Sequence, residues 1–150
     1  MKKGKLTPVL SGCAGEYLVA GELSRRGYIA SITLRNSKGV DILVTNEKAT
    51  RTVAMQVKTH YNKGTAWVMN EKAEKNHAPN LFYAFVSLNY GAPADFYIVP
   101  SKVVATFIKR HNRKWLKTPG KKGQKRNQTT MRTFRDDEKQ YRNAYSLMRL

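Results

Sequence analysis

A mixed α/β (α+β) fold, with a central β-sheet flanked by helices, is predicted by three observations. The first is helical spacing of apolar residues between the proline-marked start at Thr7-Pro8 and the glycine at Gly27. The second is the set of short runs that follow, rich in branched apolar residues and bounded by turn chemistry. The third is Asn80 to Leu88, nearly continuously apolar, which suits a strand covered on both faces.

Taken in order, Thr7 reads as an N-cap, Pro8 lies in the first turn, and Gly27 reads as the C-terminal stop. Between them Leu10, Cys13, Ala14, Tyr17, Leu18 and Gly21 recur at helical spacing and are expected to face the core. Glu16 and Glu22 are the acids of this helix, and Glu16 borders the stripe. Tyr28 to Leu34 is expected to be the first strand. Asn36-Ser37-Lys38-Gly39 is the turn into the next, with Gly39 in a conformation that glycine adopts easily. Asn46 to Thr50 closes a hairpin into Thr52–His60, which completes an antiparallel meander.

A short strand is possible at Ala66 to Met69, where Trp67 is either a core anchor or a base-stacking platform. Phe96 to Pro100 is a further strand. Ser101 then caps a helix with Val103, Val104, Phe107 and Ile108 on one side. A basic loop at about 110–132 separates it from a C-terminal helix, opened by Asp136-Asp137-Glu138 and striped by Tyr141, Ala144, Tyr145 and Met148. No internal repeat or second domain is legible, so residues 1–150 read as one domain.

Charge narrows the partner. The chain carries 28 Lys plus Arg against 10 Asp plus Glu, a formal net charge of +18. That excess works against compactness by self-repulsion and fits a polyanionic partner, nucleic acid first. The stretch between Asp95 and Asp136 holds twelve Lys and Arg and no acid, a concentration that suits a phosphate backbone. A solvated loop without function is the plain alternative. No helix joins a broad apolar face to a basic one, and no apolar run reaches membrane-spanning length, so no membrane partner is expected. The start from Met1 lacks the apolar stretch of a signal peptide. Cys13 is the single cysteine and fits a reducing, cytoplasmic location.

Side-chain alternation puts Gln56 and Lys58 on one face of the Thr52–His60 strand, and Val53, Met55 and Val57 on the other. Asp41 sits opposite in parity to Val40, Ile42 and Val44. An acid on one strand, with an amide oxygen and an ammonium on the next, is the minimum for metal-assisted phosphodiester chemistry. The same residues would also serve as the wet face of an ordinary hairpin.

In order, Glu16 on a helix, Val40-Asp41 on a strand and Gln56-Val57-Lys58 on its hairpin partner resemble the PD-(D/E)XK nuclease superfamily. The variant is one with Gln in place of the second acid, in the manner of Holliday-junction-resolvase-like and homing-endonuclease-like members. Gly15 to Leu23, Arg26-Gly27-Tyr28 and Phe96 to Pro100 extend the resemblance over most of the chain. It implies a restriction-endonuclease-like core in αβββαβ order and a Mg²⁺-dependent DNA endonuclease acting on duplex or branched DNA, with Mn²⁺ as a substitute ion and no small-molecule cofactor. Asp41, Gln56, Glu16 and the Val57 carbonyl are then the metal ligands, and Lys58 orients the attacking water. From charge and strand face, not from the resemblance, the expected nucleic-acid contacts are Lys38, His60, Arg113, Lys114, Lys121, Lys122, Lys125 and Arg126.

The resemblance departs from the pattern at Gln56, which brings no charge, and at Val40, where the proline of the name would stand. Cutting both strands needs two active sites, so a homodimer is expected. The competing readings are a catalytically inactive nucleic-acid-binding module on the same fold and a basic RNA-binding accessory protein.

Overall fold

The structure, a computed structural model, describes residues 6–34 and 38–150. The basic start Met1–Lys5 and the Asn36-Ser37 part of the expected turn lie outside the described residues.

Helix α1 (Pro8–Arg25) begins as its sequence requires. The Thr7 hydroxyl accepts a hydrogen bond from the Leu10 amide, and Pro8 occupies the first turn, where no amide donor is needed. It ends in a Schellman motif: Tyr28 N–H donates to Leu23 O and Gly27 N–H to Ser24 O, with Gly27 at φ 88°. The stripe that α1 buries is Ser11, Gly15, Val19 and Leu23, while Leu10, Tyr17 and Leu18 are exposed. This corrects the expected core face. Of the expected stripe Ala14 still packs against the core from its border, and the helix comes closest to the sheet at Gly15. A Cβ on Gly15 would collide with the Thr59 side chain, Oγ1 first. Gly15→Ala is therefore expected to push α1 off the sheet and cost about 1–3 kcal/mol, measurable as a lowered denaturation midpoint.

A five-stranded sheet follows, in the order β1-β2-β3-β5-β6. Strands β1 (Ile29–Ile32), β2 (Ile42–Thr45) and β3 (Thr52–His60) form the expected antiparallel meander. Gly39 at the entry to β2 has φ 72°, the left-handed conformation expected there. In the β2–β3 hairpin the Asn46 side-chain oxygen accepts from the amides of Thr50 and Arg51. Strand β5 (Leu81–Ser87) pairs parallel to β3, and β6 (Asp95–Pro100) antiparallel to β5. All seven residues of β5 are buried, as its unbroken apolar run requires.

The predicted fold class holds: a central mixed sheet flanked by helices. The connection from β3 to β5 differs from the αβββαβ order. It runs through strand β4 (Ala66–Asn70) and a 3-10 turn at Glu71–Glu74 rather than an α-helix. The second helix, α2 (Ser101–Lys117), comes after β6, and β7 (Met131–Arg135) pairs with β4 as a separate two-stranded sheet.

Three further expectations are corrected. Pro100 is the cap of α2, while the Ser101 hydroxyl is buried and bonds both the N–H and the C=O of Ala78. Residues 110–117 of the expected basic loop are the last turns of α2, and Met131 and Arg132 belong to β7. The C-terminal helix is a set of turns ending in a 3-10 turn at Tyr145–Met148. The carboxylate of Asp136 explains that outcome: it accepts from the amides of Gln140 and Tyr141 and folds the segment on itself.

Each face of the sheet has its own apolar cluster. Val19 and Leu23 of α1 pack on Ile42, Val44, Val53, Met55, Val57, Ala84 and Val86. On the other face Tyr83, Phe85, Tyr97 and Val99 meet Val104 and Ile108 of α2, Trp67 and Met69 of β4, and Phe134 of β7. Trp67 is a core anchor, its indole N–H donating to Val86 O at 3.0 Å.

Candidate active site

Strand β2 stops pairing at Ile42, and what happens next defines the site. The Asp41 amide still donates to Met55 O at 2.9 Å, and its carbonyl accepts from Thr33 N–H at 2.9 Å, so its backbone is held from both sides. The Asp41 carboxylate then takes the place a further ladder carbonyl would occupy. Its Oδ2 accepts the Val57 amide at 2.7 Å, a charge-assisted bond. The acid is thus fastened to the middle residue of Gln56-Val57-Lys58. A strand residue directs its N–H and C=O to the same neighbour, so the Val57 carbonyl also points to the Asp41 side.

Register gives the rest of the arrangement. The β2–β3 register ends at Ile42 opposite Met55, and Asp41 bonds the same Met55 carbonyl, so its carboxylate reaches the next residues of β3 through the Val57 amide. Gln56 pairs with Tyr83 and Lys58 with Phe85 across the parallel seam. The strand faces are those that alternation predicts, with Val53, Met55 and Val57 buried under α1 and Gln56 and Lys58 half-buried on the other face. Tyr83 is an addition from β5. It lies beside Gln56, and its hydroxyl is held above its usual pKa by burial first and the Asp41 charge second. A tyrosine inside an apolar run carries no sequence signal of such a place.

Glu16 is on α1, next to the Gly15 that touches Thr59, two residues beyond Val57 on β3. The helix itself packs on the face of β3 opposite to Gln56 and Lys58. Among the described residues no group of three or more His, Cys, Asp or Glu is placed to hold a metal ion. The donors assembled here are one anchored carboxylate, one carboxamide and one backbone carbonyl. That oxygen-only set fits a hard cation that keeps several waters, such as Mg²⁺, and is poor for zinc.

The basic residues fall into two groups. Lys38 is exposed in the turn before Asp41, while Arg113 and Lys114 are exposed on α2. Lys121, Lys122 and Lys125 are exposed beyond that helix, and the Arg126 guanidinium lies 4.6 Å over the Trp115 ring. His60 is placed differently from the expectation. It stacks on Trp67 with centroids 5.1 Å apart, its Nδ1–H meets Asn62 O at 2.9 Å, and its Nε2 is buried. Burial lowers its pKa, so this ring is packed as a neutral group and is not presented to a phosphate.

The architecture is a mixed α/β sheet flanked by helices. Among solved structures the chain is similar to the bacterial homing endonuclease I-Ssp6803I, with a TM-score of 0.58 and 12% sequence identity, over 95% of this chain and 91% of that one. At that identity the likeness is one of fold. No family model matches the chain, and no curated protein matches its sequence. No helix among the described residues is long and apolar enough to cross a membrane.

Proposed function

We propose that this chain is a metal-dependent DNA endonuclease of the PD-(D/E)XK type, with Gln56 in place of the second acid. What carries this reading is the bond from the Val57 amide to Asp41, which joins the two halves of the motif on a fold shared with a homing endonuclease. Asp41, the Gln56 carboxamide oxygen and the Val57 carbonyl would hold Mg²⁺, with Mn²⁺ able to substitute, and Glu16, on the helix packed against the other face of β3, is left outside this donor set. An ion bound there supplies Lewis-acid polarisation of the phosphoryl group and a more acidic water. Lys58 stands two residues from Gln56 on the same strand face, so its ammonium orients the attacking water and donates to the charge growing on the phosphate. Asp41, already fixed by the Val57 amide, costs no reorganisation at that moment.

The DNA would run across the basic residues of α2 and the 118–130 segment, with Lys38 beside Asp41. Replacing Lys121, Lys122, Lys125 and Arg126 by alanine is expected to weaken DNA binding at least about tenfold. It should also flatten the salt dependence by about 0.9 in log–log slope for each phosphate left unneutralised. Unchanged binding would remove this segment from the interface. Cutting both strands would call for a homodimer.

The lean acid content favours one competing reading, a silent binding module on the same fold. Incubating the protein with supercoiled plasmid and a four-way junction, in Mg²⁺, Mn²⁺ or EDTA, separates the two. Metal-dependent cuts are the expected result. Salt-sensitive binding without cuts in either metal would establish the module instead.

A further inference from the structure

We infer that the β4–β7 ribbon is the element that reads DNA sequence, its outward face entering the major groove with Arg135, Val68 and Thr133 against base edges. The inference rests on DNA as the substrate proposed above and names the residues that set its specificity.

The ribbon stands apart from the main sheet as a two-stranded antiparallel unit, and it has two unlike faces. The inward one is core: Trp67, Met69, Arg132 and Phe134 are buried. The outward one consists of three cross-strand pairs, Ala66 with Arg135, Val68 with Thr133, and Asn70 with Met131. All six are exposed except Thr133, which is half-buried. A ribbon of this width fits a major groove about 12 Å wide. Its outward pairs span about 13 Å from first to last, the rise of about four base pairs.

The chemistry of that face is the chemistry of base edges. It offers methyl groups and hydrogen-bond donors, and no carboxylate stands among its six side chains. Arg135 is already oriented: its Nε donates to Asp137 Oδ2 at 3.0 Å and its Nη2 to Asp137 Oδ1 at 3.3 Å. Held so, the guanidinium keeps its Nη1 side to donate to O6 and N7 of a guanine. Val68, 67% exposed, lies directly across from Thr133, so their methyls form one apolar step suited to the methyl of a thymine. Asn70 contributes less, because its side-chain oxygen accepts from the Lys72 amide at 3.0 Å and leaves only the NH₂ to donate.

Charge and continuity select DNA as the occupant. The basic 118–130 segment runs directly into β7. Met131 and Thr133 line one hollow with His111 and Trp115 of α2, and the Arg126 guanidinium lies over that Trp115 ring. Lysines and arginines that neutralise phosphates thus flank a face that carries donors and methyls, the division of labour between positioning and base contacts. The acids beside the ribbon are engaged, Asp137 by Arg135 and Thr65, and Glu71 by Arg132.

The inward face makes this a firm platform. The Trp67 indole is bonded to Val86 O, Phe134 stacks on Phe85, and the Arg132 guanidinium is held by Glu74. Side chains on an element fixed in this way are presented in one geometry, as selective contacts require.

Selection of bound duplexes from a library with a randomised core, run on the full chain in EDTA so that no strand is cut, tests this. The wild type is expected to enrich a motif of about four adjoining base pairs. Arg135→Lys keeps the charge and loses the fork, so discrimination at one G·C pair should fall about tenfold or more. Val68→Ser combined with Thr133→Ser should erase a preference for T·A beside it. In both variants the thermal melt and the affinity for random duplex stay near wild type. A wild type that enriches no motif, or variants that enrich the same motif as strongly, would overturn the proposal. A motif read through the ribbon by a chain that never cuts leaves it standing and sinks the catalytic reading. Metal-dependent cutting at a motif indifferent to both variants sinks this inference alone.

Discussion

Asp41→Asn is expected to reduce metal-dependent cleavage by about three orders of magnitude, the equivalent of several kcal/mol of transition-state stabilisation. Asparagine is the informative replacement because its side-chain oxygen can still accept the Val57 amide, so the β2–β3 junction survives. What disappears is the charge. Metal affinity, followed by titration with Mn²⁺, should fall together with the rate, while the thermal melt and DNA affinity stay near wild type. A variant that binds Mn²⁺ and cuts as well as wild type would remove Asp41 from the site. A variant that merely unfolds would show that the Asp41 charge is needed for the junction itself.

The largest expected change in stability lies away from the site, at the clasp between β7 and the Glu71–Glu74 turn. Arg132 is 4% exposed, and its guanidinium bonds Glu74 and the carbonyls of Thr129 and Met131, with Glu71 3.6 Å away. Glu74→Ala leaves that charge buried with only carbonyls and a half-exposed acid for company. The expected cost is about 3 kcal/mol, at the lower end for breaking a buried pair because Glu71 partly compensates. Arg132→Met should cost less, since it removes the charge together with the need to pair it. Urea unfolding of both variants checks the order. If Glu74→Ala were the milder of the two, the buried charge would not be what holds β7 to the turn.

A feature of this fold is legible in sequence where a residue's chain neighbours decide its place. The cap at Thr7, the stop at Gly27 and the turn at Gly39 are readable because local backbone chemistry fixes them. The facing of Gln56 and Lys58 follows from a period of two. The buried side of α1 does not follow from periodicity, because the helix comes closest to the sheet at Gly15, against Thr59 far along the chain. The C-terminal segment has helical spacing, yet Asp136 captures the amides that a helix would need. Arg132 reads as one more basic residue of the loop; only the β4–β7 pairing brings Glu74 to it. Within the site, strand parity and the hairpin suffice to bring Asp41 beside Gln56-Val57-Lys58, whereas Tyr83 joins them from β5 through a pairing that no local signal announces.

On the reading proposed here, Asp41, Gln56, Val57 and Lys58 form the working edge of a metal-dependent nuclease. Single-turnover cleavage of supercoiled plasmid by wild type and Lys58→Ala, each at saturating protein, tests it most directly. The expected result is cutting by the wild type in Mg²⁺, none in EDTA, and a loss of about 10²–10³-fold for Lys58→Ala, as for removal of one transition-state donor. Equal cleavage by the two proteins in Mg²⁺, or cleavage that persists in EDTA, would contradict it.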